Sequence, residues 1–336
     1  MRLLICLLAF FMLGACDSGN KKPDTSEAQI PFRIDRFEKE LFELDTNHFP
    51  QALDSLLKQY PGFSEDFLVE ILGASPLWSK DSAYEYVKGF IEAYRPIYDS
   101  SSFVFKDNDF FQRELLDPLK IFKFYFPNYE LPERIITYVG PLDGYGDVLT
   151  KNALLIGLHQ HLGRNFSLYR QAWLNDTYPV YITERFEPAT IAVNCMKNLI
   201  SDLYPDSSME QKLLIQMVEQ GKRLYLLSLL LPEKEDYRLI GYSEIQMQDY
   251  YKFERNIWNL FIQNNYLQTL DVNIIKNYIG EGPKTPELGE SAPGNIGSFA
   301  GWQIVKKFMK MNPDMSPRDL MKMDCEALFE ITRYKP

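Results

Sequence analysis

The sequence predicts an α+β fold, predominantly α-helical, in which a small β-sheet packs against helices. Three observations predict it. After residue 30, apolar residues recur at three- and four-residue spacing through most of the chain, the period of a helix with one buried face. Apolar runs of strand length are confined to 133–140 (ERIITYVG) and 152–158 (NALLIGL), with a less distinct extended piece at 179–186. Aromatic residues make up 14% of the chain, mostly Tyr and Phe, enough for a substantial packed core.

The chain opens with MRLLICLLAFFMLGAC. Arg2, an apolar run over 3–13, and small Gly14 and Ala15 before Cys16 form the charged start, short core and small-residue exit of a secretory signal. The run is well short of the about 20 apolar residues a spanning helix needs. The ending Leu13-Gly14-Ala15-Cys16 resembles the lipobox of bacterial lipoproteins, which implies loss of residues 1–15 and lipidation of Cys16. Residues 17–29 hold no large apolar side chain, so 16–30 read as a lipidated cysteine and flexible tether. A single, mainly helical globular domain then occupies 31–336.

Within that domain, 31–130 reads as a helical layer. FRIDRFEKELFELD begins as a short strand and becomes a helix with Phe37, Leu41 and Leu44 on one side. The next helix places Leu53, Leu56 and Leu57 together and closes before Pro61-Gly62. A short helix over 66–72 stops at Gly73 and Pro76, one over 79–94 ends before Pro96, and one over 108–124 bends near Pro118. The two strand-like runs pair as neighbours across PLDGYGD (141–147), where Gly144 and Gly146 can take positive φ. Helices return at 189–203, at 208–230 (the longest), at 249–264 and at 298–311. A Pro/Gly-rich loop over 280–297 is long enough to be functional or mobile. The last helix has an explicit start: Ser316 caps, Pro317 takes the first position and Asp319 follows three residues after the cap. No internal repeat is visible, and the apolar stretch 224–231 is too short to cross a membrane.

With 46 acidic and 36 basic residues the net charge is -10, which argues against nucleic acid or anionic lipid as the main partner. Cys6 leaves with the signal and Cys16 carries lipid. Cys195 and Cys325 remain, open to one bond or to two buried thiols.

No catalytic set emerges. The three histidines are His48, His159 and His161; on a strand the last two would share a face. Zinc needs three or four ligands, and no His-Glu-x-x-His occurs, so the pair reads as polar residues at a strand end or helix start, with no metal and no cofactor expected. Gly-x-Ser-x-Gly, Walker and Gly-x-Gly-x-x-Gly patterns are also missing. Glu184 and Glu187 flank Arg185 in TERFEP and read as a salt-bridged turn. Glu219 and Glu254 each sit in a helix with otherwise apolar faces; with Trp258 they are the candidate walls of an interior cleft. A carboxylate there needs a partner, and Arg223, one turn after Glu219, is the expected one.

An ordered set of blocks covers nearly the whole mature chain: KIFKFYFPNYELPERIITYVG (120–140), LLIGLHQHLG (154–163), EQGKRLYLLSLLLP (219–232), IGYSEIQ (240–246), ERNIWNLFIQNNYL (254–267) and GSFAGWQIVKKFM (297–309). Together with the lipobox they resemble the GldB gliding-motility lipoproteins of Bacteroidetes. That family is in turn distantly similar to predicted gluzincin-type zinc proteases, which implies a degenerate zincin-like core over 131–336. The metal-binding helix of such enzymes would correspond to 189–203, where TIAVNCMKNLI has neither histidine, and Glu219 falls where a downstream glutamate ligand would stand. The resemblance thus implies a non-catalytic, lipid-anchored protein facing the periplasm, whose partners are a membrane and other envelope proteins. A divergent metal-dependent peptidase and a peptide or small-molecule binder using the inherited cleft are the alternatives.

Overall fold

The computed structural model describes residues 23–289 and 292–336. The signal segment, Cys16 and the start of the tether lie outside these residues. Strand β1 (Arg33–Arg36) leads straight into α1 (Phe37–Phe42), as the sequence predicts. Next come α2 (Phe49–Gln59), α3 (Phe63–Glu65) running into a π-helical turn (Asp66–Ile71), α4 (Lys80–Val104) and α5 (Phe110–Tyr125).

Two of these helices run through prolines where the sequence predicts a stop or a bend. Helix α4 passes Pro96 and is the longest in the described chain, at 25 residues. A proline inside a helix costs about 3 kcal/mol. Here Val87, Phe90 and Ile91 before it and Ile97 and Tyr98 after it are buried along the same helix, and each such side chain contributes about 1.5–3 kcal/mol. Pro118 is itself buried in α5.

The sheet has the order β1-β2-β4-β3, with β2 at Arg134–Tyr138, β3 at Val148–Leu149 and β4 at Ala153–Gly157. The two predicted strands do pair, in parallel, with Ile136 opposite Leu155. β1 adds a third parallel strand, and the short β3 returns antiparallel to β4. All five residues of β4 are buried, which explains its unbroken apolar run.

Short helices α6 (Ala172–Asn175) and α7 (Val180–Thr183) follow. The extended piece expected at 179–186 is helical instead. Pro179 O accepts from the N–H groups of Ile182 and Thr183, so a local turn overrides the strand propensity of Val180, Ile182 and Thr183. The remaining helices are α8 (Ile191–Leu203), α9 (Leu213–Leu230), α10 (Asp236–Ile240), α11 (Glu244–Lys252), α12 (Glu254–Gln263), α13 (Val272–Ile275), α14 (Ile296–Met311), α15 (Pro317–Lys322) and α16 (Cys325–Thr332). The expected 208–230 helix starts only at Leu213, because Asp206 Oδ1 accepts from the N–H and hydroxyl of Ser208 and holds a turn there. The expected 249–264 helix breaks at Phe253 into α11 and α12. At α15 the Ser316 hydroxyl accepts from Asp319 N, the cap read from the sequence.

One hydrophobic cluster runs from Phe37 to Tyr334 and joins the helical layer, the sheet and the C-terminal helices. Its tightest seam is the crossing of α9 and α14. Gly221 and Gly301 face one another there, and a Cβ built on Gly301 would lie 1.7 Å from Met217 O. Only the absence of side chains lets the two backbones approach so closely.

Candidate functional site

The most enzyme-like residues, His159 and His161, do not share one face of a strand. β4 ends at Gly157, and the chain turns through a 3₁₀ segment, Leu158–Gln160. The pair therefore diverges. His161 places Nε2 2.9 Å from Asp147 Oδ2 and Nδ1 3.1 Å from Glu187 O. The Thr190 hydroxyl lies near Nδ1 but has its proton directed at the Glu187 and Arg185 carbonyls. Both ring nitrogens are thus engaged by oxygen atoms of the protein itself. Asn194 Nδ2 and Gly157 N also donate to the Asp147 carboxylate, and Asn198 Nδ2 donates to its carbonyl. The side chains of His161 and Asp147 are each 2% exposed.

His159 is neutral. Its Nδ1 accepts from Gly140 N at 3.0 Å, so Nε2 carries the proton, buried towards the Tyr145 backbone without a well-formed hydrogen bond. Burial pushes its imidazole down to about 3, and His161 adds to that fall. Both His161 nitrogens and His159 Nδ1 are already engaged by protein groups. Among the described residues no group of three or more His, Cys, Asp or Glu could hold a metal ion. Cys195 and Cys325 are free, buried thiols, and burial raises both, Cys325 to about 11.

The three residues expected along a cleft are divided. Glu219 binds Lys222 Nζ at 2.8 Å and Arg223 Nη2 at 3.1 Å, the second being the partner read from the sequence. It also meets the Cys325 thiol at the start of α16. Glu254 accepts from the Tyr334 hydroxyl just beyond the other end of α16, and Trp258 packs edge-on against the Tyr334 ring. Glu254 and Trp258 are therefore neighbours, and Glu219 stands apart from them.

Trp258 lines a cavity together with Phe329 and Tyr334, and a separate cleft is built from other residues. It comprises two adjoining cavities of about 260 and 330 Å³ that share Ile240, Glu281 and Asn295. The first lies between α8, α9 and the first turn of α14. Helix α8 explains its chemistry. Asn194 and Asn198, four residues apart, turn to Asp147, while Lys197 and Ser201, also four apart, turn to the cavity. Between the two cavities Arg185 grips Glu281 through two hydrogen bonds of 2.9 and 2.7 Å. This corrects the local salt-bridged turn: Arg185 reaches across the cleft, and Glu187 pairs instead with Arg164 and Arg238. Gly241, at φ +86, makes room for the guanidinium, since a Cβ there would sit 2.5 Å from Arg185 Nη1.

Lys197 has no hydrogen bond or ion pair to any described residue, and burial pushes its ammonium down to about 8, with Glu281 opposing and Arg185 assisting the fall. Sequence reading passed over it because a lone lysine in an amphipathic helix looks like a solvated face. The paired four-residue spacings in 194–201 and the length of the 280–297 loop were the available signals.

A family model described as "Gliding motility protein GldB" matches residues 18–336. No curated protein and no solved structure matches the chain. Neither the sheet nor the polar groups of the described residues lend support to the gluzincin likeness.

Proposed function

The chain belongs to the GldB gliding-motility family, and from that premise we propose that it is a non-catalytic component of the cell envelope. It is held to a membrane by lipid on Cys16, faces the periplasm and binds other envelope proteins. The observation that carries this reading is the span of the family match, which begins two residues after Cys16 and continues to the last residue. Among the described residues no helix is long and apolar enough to cross a membrane; a diacylglycerol thioether at Cys16 supplies the attachment in this reading.

The non-catalytic part rests on how the polar core is used. The His161–Asp147 pair, the natural candidate for a general base, is closed on all sides by its own hydrogen bonds. A divergent peptidase would have to free the His161 ring from these hydrogen bonds first, at about 1–3 kcal/mol for each buried group left unpaired.

The test is replacement of the lipidated cysteine, Cys16→Ser, in a bacterium that processes lipoproteins. The variant is expected to keep its leader or leave the membrane fraction, and to lose the envelope proteins that copurify with the parent. Membrane partitioning and leader processing both unchanged would remove the anchor from the account. Stoichiometric zinc in the purified parent, lost on His159 and His161 replacement, would overturn the non-catalytic assignment.

A further inference from the structure

We propose that the cavity between α8, α9 and the first turn of α14 binds an organic anion, a carboxylate or phosphate group on a short apolar body, with Lys197 and Arg223 as its charged contacts. The site is independent of the anchor and of the choice of envelope partner.

The first ground is unspent positive charge. Lys197 lines the cavity without an ion pair, in a protein whose net charge is -10. Glu281, the acid that lines the cavity with it, is chelated by Arg185. Glu219 is held by Lys222 and Arg223. Arg223 lines the same cavity; its Nη2 serves Tyr204 O and Glu219, while its Nε–H is buried with no acceptor. A recessed ammonium and an orphaned guanidinium N–H both carry a desolvation cost that an incoming anion would offset.

The second ground is the helix end. Asn295 and Ser298 bring the start of the 16-residue helix α14 to the cavity, where its dipole favours negative charge. The Asn295 side-chain oxygen is taken by Gly280 N and the Ser298 hydroxyl, which leaves its amide N–H groups as donors. The remaining wall is mostly apolar: Ile200, Leu224, Leu227 and Ile279 contribute to it, beside Ser201, Gln220 and the Arg185-bound Glu281. Charged donors at one side and aliphatic groups at the other fit an amphipathic acid better than an inorganic ion.

The experiment uses the full chain in neutral detergent at constant ionic strength, with butyrate, glycerol 3-phosphate, inorganic phosphate and chloride as probes. Acylation of Lys197 by acetic anhydride is followed by mass spectrometry, with exposed Lys310 as the internal reference. Butyrate or glycerol 3-phosphate is expected to slow labelling of Lys197 by about tenfold relative to Lys310; which of the two protects identifies a carboxylate or a phosphate ester. The Lys197→Met variant is expected to unfold at a higher temperature than the parent without added anion, since it removes an unpaired charge. It should also lose the anion-dependent rise in that temperature. A lysine whose stem merely packs would show neither change. Equal labelling of Lys197 under all four probes overturns the proposal, and protection by phosphate or chloride equal to that by the organic anions overturns its organic character. The labelling comparison uses unaltered protein, so it decides the matter even if Lys197→Met fails to fold.

Discussion

Gly301→Ala tests the packing that defines the C-terminal half. The new methyl would stand 1.7 Å from Met217 O and 2.4 Å from its carbonyl carbon. Real Cβ atoms essentially never approach closer than 3.0 Å, so α9 and α14 must separate by at least about 1.3 Å. Both are backbone atoms of regular helices, and no flexible side chain can absorb the clash. A radial gap of 0.5–1 Å already forfeits roughly a quarter to a half of a dispersion contact, and Val218, Trp302, Ile304 and Val305, all fully buried, lie along these two helices. Overpacking costs about 1–3 kcal/mol or more, while alanine returns about 1 kcal/mol of helix propensity. A rigid backbone clash belongs at the upper end, for a net loss of about 2 kcal/mol. In a chain of this size that lowers the unfolding midpoint by roughly 3 °C. Thermal and urea unfolding followed by circular dichroism measure it. Gly89→Ala is the control: Gly89 is exposed inside α4, and the point its new methyl would occupy has nothing within 4 Å, so this change should stabilise by about 0.5–1 kcal/mol. A Gly301→Ala protein as stable as the parent, with the control behaving as stated, would refute the close-crossing account.

Two further perturbations probe the polar core. His159 is held neutral in the folded protein, with its proton affinity depressed from 6.5 to about 3. The unfolded chain therefore binds one more proton between these values, and stability present at neutral pH is lost as pH falls through that window, on the order of 3 kcal/mol by pH 4. Urea midpoints of the parent and of His159→Asn should converge on acidification, and a constant gap between pH 7 and pH 4 would contradict the assignment. Asp147→Asn weakens the hydrogen bonds that His161, Asn194 and Gly157 N make to a buried carboxylate and should destabilise by about 1–3 kcal/mol; an unchanged urea midpoint would show that this network does not hold the segment in place.

The legible parts of the sequence were those in which local rules and tertiary packing agree. β1 running into α1, the two apolar strands and the Ser316 cap all follow from short-range patterns, and all appear in the structure. Pro96 reads as a helix end because local sterics say so; the buried face that carries α4 past it is assembled from residues far apart in the chain. Val180, Ile182 and Thr183 have strand propensity, yet two hydrogen bonds to Pro179 O settle the segment as a helical turn. The site was harder still. Glu219 was readable with Arg223 because they are one turn apart. By contrast, the Arg185–Glu281 grip joins residues separated by 96 positions. Lys197 matters through what it lacks, and a missing partner is invisible until the neighbours are placed.

The position of β1 carries a mechanical consequence. The chain ahead of Arg33 enters the sheet at the end of an edge strand that runs parallel to β2 in four registers, from Arg33 opposite Arg134 to Arg36 opposite Thr137. Asp35 adds a lateral fastening at 2.7 Å to Arg134. Tension arriving from that side along the strand axis would load these rungs together in shear, whereas a strand entered from its opposite end and doubled back could be peeled one rung at a time. Force applied from that side would thus be spread over the whole edge and passed to the centre of the sheet.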